Sequence, residues 1–116
     1  MSFLIAPPIP TFFCEDNYIT ISCPSSHIIS VVNAVYGPSS PTMCGNCDNC
    51  GHCTFADVTS YFSGFNGEKS GSQLGSNIEY GINDYTDPCL GRTKVTILTY
   101  YCLTTSTYSA TTKILI

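Results

Sequence analysis

Eight cysteines lie in 116 residues, and four of them crowd into Cys44-Gly-Asn-Cys47-Asp-Asn-Cys50-Gly-His-Cys53. Thiolates at Cys-x-x-Cys spacing can hold zinc, build an iron–sulfur cluster or exchange disulfides. A zinc site built from two such arms separates them by a dozen or more residues, so that four sulfurs converge tetrahedrally at about 2.3 Å. Here only two residues stand between the arms. The bacterial ferredoxin run closes on Cys-Pro and lends its last cysteine to another cluster, whereas Thr54 follows Cys53. Thioredoxin chemistry sets its Cys-x-x-Cys at the opening of a helix in a βαβ unit, and the pattern contains no such unit. His27 and His52 have no evident partner. An even count at this density reads instead as a disulfide framework in an oxidising compartment. Each bridge contributes about 2–4 kcal/mol. No metal and no cofactor are expected.

A second constellation is Asp87-Pro88-Cys89-Leu90-Gly91-Arg92-Thr93-Lys94, running on to Tyr100-Tyr101-Cys102. Cys14-Glu15-Asp16, Ile21-Ser22-Cys23-Pro24 and Ala34-Val35-Tyr36-Gly37 answer it from the other half. Carboxylates and a lysine beside staples suit binding better than catalysis, since neither a Ser-His-Asp set nor a pair of catalytic carboxylates stands out. Glu15 brings two acceptor oxygens and Lys94 three donors, and charged partners make the stronger hydrogen bonds. Plainer roles compete. Glu15 and Lys94 can form a surface ion pair contributing ~0–1 kcal/mol. Tyr36 can pack at the end of a strand, and Asp87 before Pro88 is a common turn opener. Tyr61, Tyr80, Tyr85, Tyr100 and Tyr101 read mostly as strand and loop packing, with the rim of a site as the other reading.

These residues need elements to position them. The length argues for a single domain over residues 1–116, with its core from about residue 12. Residues 17–23 alternate, with Ile19 and Ile21 on one side and Thr20 and Ser22 on the other, a strand pattern. Residues 27–36, 94–103 and 107–116 read as further strands, the last two joined by a hairpin link at 104–106. Residues 10–14 add an edge strand, the one place that tolerates Pro10. Residues 37–53 read as irregular loop. Thr54-Phe55-Ala56-Asp57 resembles a capping box, and Phe55, Val58 and Phe62 then predict a short helix over about 55–63. Residues 64–86, rich in glycine and polar residues, read as a long surface loop with room for a short strand or helix. The sum is mainly β with one or two short helices, a small disulfide-rich antiparallel β-sandwich-like domain.

The formal charge is −4, and only Lys69, Arg92, Lys94 and Lys113 are basic. Nucleic-acid binding rests on dense basic patches, so it is excluded. No run reaches the ~18–20 apolar residues of a membrane span. Phe3-Leu4-Ile5-Ala6 meets prolines at once and lacks a basic leader, a poor signal peptide; a secreted form is expected to have had its signal removed. No Asn-x-Ser/Thr sequon occurs, so no N-glycan is expected.

The quoted segments resemble the SUEL-type rhamnose-binding (galactose-binding) lectin domain, also found at the amino end of latrophilins. The family pattern runs Cys-Glu, Ile-x-Cys, Ala-x-Tyr-Gly-Arg and a cysteine, then Asp-Pro-Cys-x-Gly-Thr-Tyr-Lys and a closing Tyr-x-Cys. Here the matching residues span most of 14–102. Pro38 stands where the family has Arg, Arg92-Thr93 where it has Thr-Tyr, and the middle cysteines are crowded into 44–53. The resemblance implies a secreted, non-catalytic lectin that binds terminal galactose or L-rhamnose, which share the relevant hydroxyl arrangement. Its pocket would be lined by Glu15, Tyr36, Asp87, Gly91 and Lys94, with Gly91 allowing close backbone approach. It also implies disulfides Cys14–Cys44, Cys23–Cys102, Cys47–Cys89 and Cys50–Cys53, with Cys47–Cys50 and Cys53–Cys89 as the alternative inner pairing. A single weak site gains by avidity, which leaves a homo-oligomer open. An adhesion or protein-interaction module of the same fold without sugar binding is the alternative.

Overall fold

The computed structural model describes residues 7–39, 43–44, 54–83, 85–89 and 93–108. In chain order these form β1 Ile9–Cys14, β2 Asn17–Ser22, β3 His27–Pro38, β4 Ala56–Asp57, a 3₁₀ helix Thr59–Phe65, β5 Ser70–Gly75 and β6 Lys94–Thr104. All pairings are antiparallel. One sheet has the order β1-β6-β3-β4 and a second pairs β2 with β5. The chain is thus mainly β with short helices, as expected from its alternation. No helix among the described residues is long and apolar enough to cross a membrane.

The two-residue side-chain period of a strand explains how the sheets meet. In β2, Ile19 and Ile21 are buried while Tyr18, Thr20 and Ser22 face solvent. They pack against Ile29, Ala34 and Tyr36 of β3, Leu98 and Tyr100 of β6, and Val58, Phe62 and Phe65 around the helix. β1 lies at the sheet edge, where Pro10 costs no ladder hydrogen bond. In β3 the register slips between Val31 and Asn33, a bulge, and the Val31 N–H is met by Asn66 Oδ1 at 2.7 Å.

Two expectations are corrected. The helix begins at Thr59, later than the capping-box reading placed it, because Ala56–Asp57 pair with Val35 and Tyr36 as β4. Side chains three apart eclipse in a 3₁₀ helix, so Phe62 and Phe65 share its inner face, whereas Phe55 is half-exposed and its ring lies over Gly37. Residues 70–75 form β5, the short strand for which the long loop left room, because β2 offers it a full antiparallel partner. Residues 105–108 form a helical turn where a hairpin link and the start of a strand were expected. Thr104 Oγ1 accepts the Thr107 N–H and so closes that turn. The rest of the expected strand, 109–116, lies outside the described residues.

Two disulfides join described residues. Cys14 bonds Cys44 and Cys23 bonds Cys102, the two outer pairs that the resemblance implies. Cys89 is disulfide-bonded as well. The inner pairings Cys47–Cys89 and Cys50–Cys53, and their alternative, involve residues outside those described.

Candidate functional site

Three strand ends meet at one end of the larger sheet. Lys94 opens β6 opposite Pro38, which closes β3, and Cys14 closes β1 opposite Val95. Glu15 therefore lies beside Lys94, and the two residues clasp each other. The Glu15 N–H donates to the Lys94 carbonyl at 2.9 Å, and the Lys94 N–H donates to Glu15 Oε1 at 2.9 Å. Asp16 then turns the chain into β2 with φ 69°, a left-handed conformation that Asp tolerates better than most residues.

The Lys94 side chain runs inward. Its Nζ lies 3.2 Å from Asp87 Oδ2 and 3.7 Å from Glu15 Oε1, and donates to the Cys89 carbonyl at 3.2 Å. The Lys94 and Asp87 side chains are 2% and 1% exposed, against 20% for Glu15. Asp87 Oδ1 accepts the Cys89 N–H at 2.8 Å, so the turn that carries the cysteine also aims the carboxylate. Burial pushes the Asp87 carboxyl up, but hydrogen bonds from Cys89, Asn77 and Lys94, with the lysine charge, outweigh it and hold it below the usual carboxylate range.

Asn77 links this ion cluster to Tyr36. Its Nδ2 donates to Asp87 Oδ2 at 2.8 Å, and its Oδ1 accepts the Tyr36 hydroxyl at 2.6 Å. The side chain is presented by one helical turn. The Ser76 carbonyl accepts from Tyr80 N–H at 3.0 Å, and Ser76 Oγ accepts from Glu79 N–H at 3.3 Å. The turn stops at Gly81, φ 67°, where Ile82 N–H reaches the Asn77 carbonyl and Gly81 N–H the Ile78 carbonyl. This is a helix stop with glycine in the left-handed position. Sequence reasoning passed over Asn77. The signal was there: Ser76-Asn77-Ile78-Glu79 has capping-box spacing and Gly81 marks the stop.

Tyr36 is fully buried on the inner face of β3, with its ring 4.8 Å from Tyr80 and edge-on to it. The Tyr80 hydroxyl bonds Thr96 Oγ1 at 2.7 Å. Burial pushes both phenols up, Tyr80 to about 12 and Tyr36 further, the latter reinforced by the negative charges of Glu15 and Asp87. In the folded chain both hold their protons more tightly than the ordinary phenol, which ionises near pH 10. Above about pH 10 the unfolded chain therefore releases protons that the folded one keeps, and stability falls as pH rises. Denaturant unfolding followed at about pH 8 and about pH 11 should give a lower midpoint at the higher value. Phenolate absorbance of Tyr36 and Tyr80 should appear only with unfolding.

Four of the five residues expected at a pocket thus gather in one hydrogen-bonded group: Glu15, Tyr36, Asp87 and Lys94. The fifth, Gly91, lies outside the described residues. The Glu15–Lys94 pair is no loose surface contact, since the lysine is almost wholly enclosed. Among the described residues no group of three His, Cys, Asp or Glu side chains is placed to hold a metal ion. Chemically the group offers carboxylate acceptors and an ammonium donor in fixed geometry, with Glu15 its most solvent-accessible charged member.

No family model matches the chain. The D-galactoside-specific lectin of Heliocidaris crassispina is similar to it, 31% identical over 94 residues that cover 77% of this chain and 85% of that lectin.

Proposed function

We infer the function from one premise: this chain belongs to the family of that D-galactoside-specific lectin. It is a carbohydrate-binding, non-catalytic lectin. We place it in the SUEL type and assign it terminal galactose or L-rhamnose, taken at Glu15, Tyr36, Asp87, Gly91 and Lys94. The observation that carries this reading is the placement of Glu15: its side chain is 20% exposed, while Lys94, 3.7 Å behind it, is 2% exposed. A sugar hydroxyl donates to a carboxylate, so Glu15 meets the ligand and the enclosed Lys94 ammonium fixes its charge and position. Asp87 and Asn77 fix the ammonium from behind, and Tyr36 holds Asn77 in place. Ligand orientation then follows from a frame that is already set before the sugar arrives, which lowers the ordering cost of binding.

Disulfides fit an extracellular setting, and assembly into a homo-oligomer would supply the avidity that a shallow single site lacks. Glu15→Gln tests the assignment cleanly. It keeps an acceptor for the Lys94 N–H and removes the charge. A glycan array and titration calorimetry should find the parent chain binding galactosides or rhamnosides. Glu15→Gln should bind about 10-fold more weakly, the effect of losing one charge-assisted hydrogen bond. An array blank for every galactoside and rhamnoside would sink the lectin reading and leave the protein-interaction module.

A further inference from the structure

The turn-rich segment between β5 and β6 supplies Asn77 and Asp87 to the cluster. It also carries the two large apolar side chains with the highest exposure among the described residues, Tyr85 at 98% and Ile78 at 89%. Single exposed apolar residues are ordinary on a protein surface. These two differ in their placement. Ile78 directly follows Asn77, and Tyr85 precedes Asp87 by two residues, at most about 7 Å along the chain.

Tyr85 is also held out rather than left loose. Asn83 Oδ1 accepts the N–H groups of Tyr85 at 2.8 Å and Thr86 at 3.1 Å, and Thr86 Oγ1 accepts the Asn83 N–H at 2.9 Å. Such mutual side-chain-to-backbone bonds are how Asn and Thr build a tight turn. The turn ties the Tyr85 backbone two residues before Asp87 and leaves its ring in water. A tyrosine ring offers an apolar face with a polar tip. It has only two side-chain torsions to immobilise, so its ordering cost on contact is low. The partner that fits has apolar C–H faces alternating with hydroxyls, and it must already be anchored at the neighbouring cluster. The next sugar unit of a bound glycan meets both requirements.

We propose that Tyr85 is a specificity-determining residue that stacks on the sugar unit adjoining the terminal one. The chain then reads at least a disaccharide. This rests on the lectin reading of the neighbouring cluster. The test is titration of the full chain with methyl galactoside and with a panel of galactose-terminated di- and trisaccharides of different linkage. The parent should bind at least one oligosaccharide more tightly than methyl galactoside. Tyr85→Ala should weaken that oligosaccharide by about 3- to 10-fold, the range of an aromatic contact. Methyl galactoside should change less than about 2-fold, and Tyr85→Phe should keep the parent's preference, because the ring face does the work. With a side chain this exposed, the unfolding midpoint of Tyr85→Ala should match the parent's. Oligosaccharide affinity unchanged in Tyr85→Ala, or an equal loss for both ligands, overturns the proposal while the lectin reading stands. No galactoside binding by the parent overturns the proposal, and an absence of rhamnoside binding as well overturns the lectin reading with it.

Discussion

Replacing Lys94 by methionine is expected to lower the unfolding free energy by about 3–5 kcal/mol, the usual cost of removing one partner from a buried ion pair. The lysine and Asp87 side chains are 2% and 1% exposed, with Nζ and Oδ2 3.2 Å apart. A surface pair would contribute little, so the size of the effect depends on this enclosure. Methionine fills much of the space, yet leaves the Asp87 carboxylate with only neutral donors, the Cys89 N–H and Asn77 Nδ2. It also removes the donor to the Cys89 carbonyl. Adding Asp87→Asn should recover part of the loss, since the stranded charge is then gone. A double-mutant cycle from urea unfolding, disulfides intact, should give a coupling of about 1–3 kcal/mol. A loss below about 1 kcal/mol for Lys94→Met would place the pair with exposed salt bridges and undo the account of the cluster.

Removal of the Cys23–Cys102 bridge should cost about 4–5 kcal/mol. Its cysteines are 79 residues apart, and the entropy withheld from the unfolded chain grows with the loop that is closed. The bridge joins the residue after β2 to the far part of β6, so it ties the two-stranded sheet to the four-stranded one. The Cys14–Cys44 loop of 30 residues is expected to contribute less, about 3.6 kcal/mol by the same relation. Domains are stable by only about 5–15 kcal/mol, so about a quarter or more of the total rests on Cys23–Cys102. Paired Cys23→Ala and Cys102→Ala should lower the midpoint of thermal unfolding by about 15–20 °C. A fall no larger than that from opening Cys14–Cys44 would contradict the loop-length argument.

Strand identity was readable wherever one face had to be dry. Ile19 and Ile21 alternate with exposed neighbours and lie in β2 as their spacing requires. The β-branched runs of β3 and β6 form the central pair, and Pro10 marks the edge strand. Legibility failed where the outcome depended on a distant partner. Ser70–Gly75 has almost no apolar alternation, and its strand exists because β2 lends it hydrogen bonds. Ala56–Asp57 looked like helix and became β4 because β3 had an open edge beside Val35 and Tyr36. At 105–108 an expected hairpin link and strand start gave way to a local turn closed by threonine hydroxyls.

The site divides the same way. Residue types alone determined the acceptor capacity of Glu15 and the donor capacity of Lys94, because that capacity belongs to the side chain wherever it sits; the sugar and the place of Asp87 beside them came from the family resemblance. Only the tertiary structure decided that Lys94 is enclosed rather than a surface donor, that Asp87 stands nearer to it than Glu15 does, and that Asn77 joins Asp87 to Tyr36. Burial, distance and relay are properties of strands brought together across 79 residues of chain between Glu15 and Lys94, and no local pattern encodes them.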